Sequence, residues 1–268
     1  MFQEALKEGR KIIIGLVHLK PMPGTPFYQE GDLEASVEKA IFDAKALENG
    51  GAHGCLIQTV DRVYPSGDDS DYARVASLAL IANEVKKAVG PDFIIGAQIM
   101  WNCITPSIAV CKAVGAKFTR CTALIGSTES PYGKVEADPL KVMEYRKKLK
   151  MEDLDLIAEI SGYHHHIGDG DDMGLLQLVG SASRIGANAV EIAHPDEEVN
   201  NKMAMAIRAA YPDVPIVLGG HTTVENVQSR LRYADAALVG ACFEKPLDRR
   251  NVHEATVAAY MQKVKELE

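Results

Sequence analysis

Three consecutive histidines, His164-His165-His166, stand inside the stretch YHHHIGDGDDMG (163–174) and are followed by three aspartates. Imidazoles titrate near neutral pH and ligate metals, so such a run serves either proton transfer or ion binding. If an extended strand reaches them, His164 and His166 share one face and His165 turns away. With His18 they would make a ligand set for a divalent metal. The aspartates lack the terminal glutamate of a calcium loop and read as a polar loop, with Asp172 capping the next helix. Glu159 lies just upstream, inside the apolar run DLIAEIS. A buried, unpaired carboxylate is costly, and burial pushes its pKa toward general-base range. Arg120, in KFTRCTA, reads either as its ion-pair partner or as a clamp on a substrate anion.

These side chains need elements to position them. Eight strand-like runs recur at 11–19, 54–60, 92–100, 117–123, 155–161, 189–194, 215–220 and 236–243. Most are continuously apolar, the pattern of parallel strands covered on both faces. Helical periodicity follows each of them. Asp32 is placed to cap one helix, Thr105-Pro106 and Asp138-Pro139 to start two more. Thr222/Glu225 and Asn251/Glu254 have capping-box spacing. Residues 127–137 read as a long loop. Eight alternating β and α units without a composition break predict one (β/α)8 TIM barrel over residues 1–268, of the ribulose-phosphate-binding type.

Barrel chemistry sits at the C-terminal ends of the strands. That rule selects His18 and Lys20 after the first run, Asp61 after the second, and Trp101 and Asn102 after the third. It also selects Arg120, Glu159 and His164 from the fourth and fifth. His18 is an acid/base candidate with Asp61, and Lys20 is an anion contact. Trp101 stacks on a sugar face or packs at the rim, and Asn102 orients substrate. Gly219, Gly220, His221 and Thr222, with Gly240 and Ala241, make two small-residue turns whose N–H groups could cradle a phosphate.

The net charge of −8 argues against nucleic acid or an anionic membrane as partner. No apolar run approaches the ~18 residues of a membrane span. The five dispersed cysteines show no CxxC or CxxH spacing, and the plain reading is buried thiols in a cytoplasmic protein.

The segments GLVHLKPMPGTP, VLGGHTTVENV and ADAALVGACFEK resemble the BtpA/SgcQ-like family, from about Ile14 to the C-terminus. The resemblance implies a phosphate-binding TIM barrel. One branch of that family is linked to photosystem I biogenesis, and others sit beside sugar-metabolism functions. Departures are concentrated at the strand ends. The family's Glu-Asn-x-x-Asp after the second strand is Gln58-Thr59-Val60-Asp61 here. Of NVLRND after the third, only Asn102 remains. The Asp and Lys-His of the fifth strand become Glu159, Tyr163 and His164. With tyrosine at the lysine position, a Schiff base is not expected. The expectation is therefore an enzyme acting by acid/base chemistry on a small phosphorylated or anionic metabolite, a sugar derivative. Isomerase, epimerase and lyase chemistries fit, with no cofactor required. Alternatives are a metal-dependent hydrolase or lyase using the histidine cluster, and a non-catalytic assembly factor. Homo-oligomerisation is expected by analogy with other barrels of this type.

Overall fold

Runs of residues that are apolar on both faces must be covered on both, and they close here into a cylinder. The computed structural model describes residues 1–165, 168, 170–245 and 250–267. In chain order the strands are β1 (Ile12–His18), β2 (Gly54–Gln58), β3 (Ile94–Gln98), β4 (Phe118–Cys121), β5 (Ser127–Ser130), β6 (Gly133–Glu136), β7 (Asp155–Ser161), β8 (Ala189–Ile192), β9 (Ile216–Leu218) and β10 (Ala236–Val239). The helices are α1 (Phe2–Glu8), α2 (Asp32–Asn49), α3 (Tyr72–Ala88), α4 (Ile104–Val114), α5 (Pro139–Lys148), α6 (Asp172–Ile185), α7 (Glu197–Ala210), α8 (Val227–Leu231) and α9 (Glu254–Lys265). Eight strands form one closed barrel in the order β1-β10-β9-β8-β7-β4-β3-β2, all pairs parallel.

Strand alternation divides the core in two. Ile12, Ile14, Leu16, Leu56, Phe118, Ile157, Val217 and Leu238 fill the interior. Their neighbours Ile13, Val17, Cys55, Ile57, Leu156 and Val190 pack outward against the helices. Each such aliphatic side chain contributes roughly 1.5–3 kcal/mol on burial. Helix α1 closes the lower end, where Phe2 meets the Phe118 ring edge-to-face at 6.1 Å. At the upper end the interior turns polar. His18, Gln58 and Gln98 stand in register on β1, β2 and β3, as do Glu159 and Glu191 on β7 and β8.

Several expected boundaries move. Residues 127–136 form an antiparallel hairpin rather than a loop, paired from Ser127↔Glu136 to Ser130↔Gly133. Asp138 caps α5 as expected, accepting from Lys141 N at 3.1 Å. Asp32 is instead the first residue of α2, behind Gly31. Thr105 sits inside the first turn of α4, and Asp171, not Asp172, caps α6. The helix expected at Thr222 begins at Val227 and has five residues, because Asn226 Oδ1 takes the Thr223 N–H and holds a turn there. Helix α9 starts after His253 rather than Asn251. Among the described residues no helix is long and apolar enough to cross a membrane.

Candidate active site

Glu159 and Glu191 point into the barrel from adjacent strands and bury completely. Arg120, reaching in from β4, pairs with both. Its Nε and Nη2 bind Glu191 bidentately at 2.6 and 2.5 Å, and Nη2 lies 3.1 Å from Glu159 Oε2. After Ser161 the chain turns sharply, with Gly162 N–H donating to His165 O at 2.7 Å. That turn, not strand alternation, aims the histidines. It delivers the N–H groups of His164 and His165 to Glu159 Oε1 at 2.6 and 3.1 Å, and His164 Nδ1 to Oε2 at 2.9 Å. His165 itself is buried, with Nδ1 3.2 Å from the Glu159 carbonyl.

The expected raised Glu159 is reversed. Burial pushes its pKa up, but Arg120, His164 and the backbone N–H groups outweigh that and hold it down to about 2. Glu191 goes the other way. Burial raises it, and the neighbouring Glu159 charge adds to that against the pull of Arg120. Two carboxylates share one guanidinium, so neutrality of the cluster requires one proton. Glu191, raised by burial and by the Glu159 charge, is a group placed to hold it.

A second histidine–carboxylate pair forms from more distant sequence. His18 Nδ1 lies 2.5 Å from Glu244 Oε1, and Glu244 Oε2 accepts from Arg250 Nε at 2.8 Å. Glu244 is buried, which raises its pKa, yet His18 and Arg250 bring it below the ordinary carboxylate value. Around the eight-strand circle, β1 and β7 are separated by three strands on either side. His18 and His164 therefore stand on opposite walls.

Both rings line one cavity of about 420 Å³. All six residues expected to cradle an anion line it as well: Gly219, Gly220, His221, Thr222, Gly240 and Ala241. The N–H groups of Gly220, His221, Thr222, Gly240, Ala241 and Cys242 have no acceptor among the described residues. Their turns follow β9 and β10, which lie between β1 and β8 in the circle. Glycine is needed at 219, where a Cβ would overlap Glu191 Oε1, while at 240 a Cβ would sit tightly against Leu16 Cδ1 and His18 Cε1, at 3.1 and 3.2 Å. His221 stacks on Tyr163 with centroids 4.8 Å apart. Its pKa is lowered by burial, Arg230 and His194, which favours a neutral ring that accepts from Tyr163 OH at 3.4 Å.

Other expected site residues serve the scaffold. Asp61 is buried, accepts from Met22 N at 2.8 Å and faces Arg74 at 3.4 Å, so it anchors the loop after β1. Asn102 Oδ1 accepts from Ala123 N at 2.8 Å. Lys20 Nζ binds Asp32 Oδ1 at 2.8 Å, outside the cavity lining. Arg120 is occupied by its two carboxylates. Trp101 lies edge-to-face on the His164 ring at 4.4 Å and contacts Tyr132 of the β5–β6 hairpin at 5.6 Å, packing behind the histidine. For the metal reading, His18 and His164 are on opposite walls, and His166 lies outside the described residues. Among the described residues no three His, Cys, Asp or Glu side chains converge as a metal site. Glu191, a polar residue at the end of the sixth strand-like run, is expected at the rim but without an assigned role, and Glu244 and Arg250 are not among the expected site residues. Glu191 carried the same signal as Glu159, a carboxylate inside an apolar strand. Glu244 stands in the turn after β10, whereas Arg250 gave no sequence signal.

The sequence profile of the BtpA family matches residues 9–266. An uncharacterized protein of Thermococcus kodakarensis is 29% identical over 238 residues, covering 88% of each chain. The photosystem I biogenesis protein BtpA of Synechocystis sp. is 30% identical over 153 residues, which is 57% of this chain and 52% of that one. Among solved structures, tryptophan synthase from M. tuberculosis has a TM-score of 0.64 at 15% identity, over 98% of this chain and 96% of that one. Thiamine phosphate pyrophosphorylase from Pyrococcus furiosus scores 0.58 at 14% identity, over 100% and 99%. Identities this low establish a shared TIM-barrel fold and nothing finer.

Proposed function

The chain belongs to the BtpA family, and from its barrel mouth we propose that it is an enzyme acting on a small phosphorylated or otherwise anionic metabolite, a sugar derivative, by acid/base chemistry. The observation that carries this reading is the pair of histidine–carboxylate couples on opposite walls of one cavity, with N–H-rich turns between them. An anionic group held at the Gly219–Thr222 and Gly240–Cys242 turns leaves the rest of the molecule between His18 and His164. One imidazole then takes a proton from carbon while the other gives one to oxygen or to the opposite face. That division suits isomerisation, epimerisation, or elimination across a C–O or C–N bond. Glu159 acts as the fixed carboxylate that orients His164 and stabilises its charged form, rather than as the base. Arg120 holds Glu159 ionised instead of gripping substrate.

The test is solvent deuterium incorporation into a panel of aldose and ketose phosphates, read by NMR. The wild-type protein labels a carbon-bound position of at least one of them. His164→Gln slows labelling by about 100-fold or more, the scale of a lost general acid–base, and Glu159→Gln slows it by leaving His164 without its orienting carboxylate. Undiminished labelling in either variant contradicts the assignment. A non-catalytic assembly role, the kind of role named for the Synechocystis relative, predicts no labelling of any member of the panel.

A further inference from the structure

Arg250 stands ten residues beyond the turn at Gly240, yet its side chain lines the same cavity. The chain is brought back by three contacts, of which the Val252–Asp43 bond is buried. Val252 N–H donates to Asp43 Oδ1 at 2.8 Å, Lys39 Nζ donates to the Arg250 carbonyl at 3.1 Å, and Lys245 N–H bonds Asn251 O. Arg250 adopts a left-handed φ of 60°, uncommon for a residue with a side chain. Among the described residues only its Nε is engaged, by Glu244 Oε2, and the side chain is 58% exposed. The two terminal nitrogens have no partner among the described residues.

We propose that Arg250 is the side-chain ligand of the anionic group held at the turns after β9 and β10, and that this anion draws it away from Glu244. The proposal rests on the anion-cradle reading above and extends it to a group that no motif marked. A guanidinium binds a phosphoryl oxygen pair with the same fork it offers a carboxylate. Glu244 is shared: its Oε1 holds His18 while its Oε2 holds Arg250. When Arg250 turns to the anion, the carboxylate is left to His18 alone. The His18 imidazolium then gains an undivided counter-charge and a nearby anion, and loses a nearby cation. The site so couples occupancy to the proton content of His18, which becomes a proton donor once substrate is bound. Among the described residues the other charged group acting on Glu244 is Asp43 of α2, which is ion-paired to Lys39. Across the cavity, Arg120 is held by its two glutamates and does not compete for the anion.

The experiment is a titration of the full-length protein with inorganic phosphate at fixed pH, followed by backbone amide and histidine ring ¹⁵N resonances. Wild-type protein, Arg250→Gln and Arg250→Lys are compared, and superimposable amide spectra elsewhere establish that each is folded. In the wild type, phosphate shifts the amides of Gly220–Thr222 and Gly240–Cys242 and raises the doubly protonated fraction of His18. Arg250→Gln weakens phosphate about tenfold, the scale of one charge-assisted hydrogen bond, and shrinks the His18 response at saturation. Arg250→Lys recovers part of the affinity. Equal affinity in wild type and Arg250→Gln, or phosphate binding without any His18 response in the wild type, overturns the Arg250 proposal and leaves the cradle standing. Failure of phosphate to move the two turns in the wild type overturns the cradle reading and this proposal together.

Discussion

The two walls of the mouth use the same three residue types and treat them differently. On the β7 side, His164, Glu159 and Arg120 are joined by a second carboxylate, Glu191, and the guanidinium is sealed from solvent. On the β1 side, His18, Glu244 and Arg250 form a chain whose arginine is open to solvent. The first arrangement is fixed. Its guanidinium and both carboxylates are buried, so moving any of these three leaves another unpaired in a medium where that is expensive. The second can exchange partners, because water or an incoming anion replaces whatever Arg250 releases. One wall is a sealed ion cluster, and on the proposal above the other responds to what binds.

Four expectations sharpen that contrast. Arg120→Met leaves two buried glutamates without their cation and costs about 3–5 kcal/mol, read as a lower urea midpoint; a loss below about 1 kcal/mol would remove the distinction between the walls. Gly219→Ala acts on the same cluster without touching a charge. Its Cβ would overlap Glu191 Oε1 and force the pair apart, at about 1–3 kcal/mol by the scale of overpacking, again by urea unfolding. A third test follows proton uptake in acid. A carboxylate whose folded pKa lies at about 2 against an ordinary 4.5 contributes stability above pH 4.5, and that contribution is lost as pH falls from 4.5 through 2. Glu191, displaced upward, has the opposite sign and contributes no loss in that window. Unfolding of Glu159→Gln in that window should therefore take up fewer protons than wild type, by an amount approaching one. Equal uptake would mean that Glu159 is not held ionised. The smallest effect belongs to the open wall: Arg250→Ala should change stability by no more than about 0.5 kcal/mol, as surface substitutions do, while weakening phosphate binding. A larger loss would make Arg250 a structural strut.

How much of this could be read in advance varied with the physics involved. The eight barrel strands were legible because burial on both faces leaves an unbroken apolar run, as in KIIIGLVHL and DLIAEIS. The hairpin over 127–136 was not, because Thr128 and Val135 are its only buried side chains. Capping spacing misled at Thr222, where Asn226 took the available N–H first. Within the site, the rule that chemistry lies at the strand ends picked out Glu159, His164, His18 and the glycine turns. It also drew in Asp61 and Asn102, polar residues at strand ends whose partners turned out to be backbone N–H groups. Partnership was the part that composition could not express. Glu191 was visible as a buried carboxylate, but that Arg120 would join it to Glu159 depends on barrel register. Arg250 depends on the chain returning to the mouth through Asp43, a contact 209 residues apart.

The most direct measurement of the central claim is amide and histidine-ring chemical-shift mapping with a pentose phosphate, compared with the same pentose lacking its phosphate. The account predicts saturable shifts for the phosphorylated sugar in both glycine turns and in both His18 and His164, with little response to the free pentose. Shifts confined to surface residues away from the mouth, or identical responses to the two sugars, would contradict it.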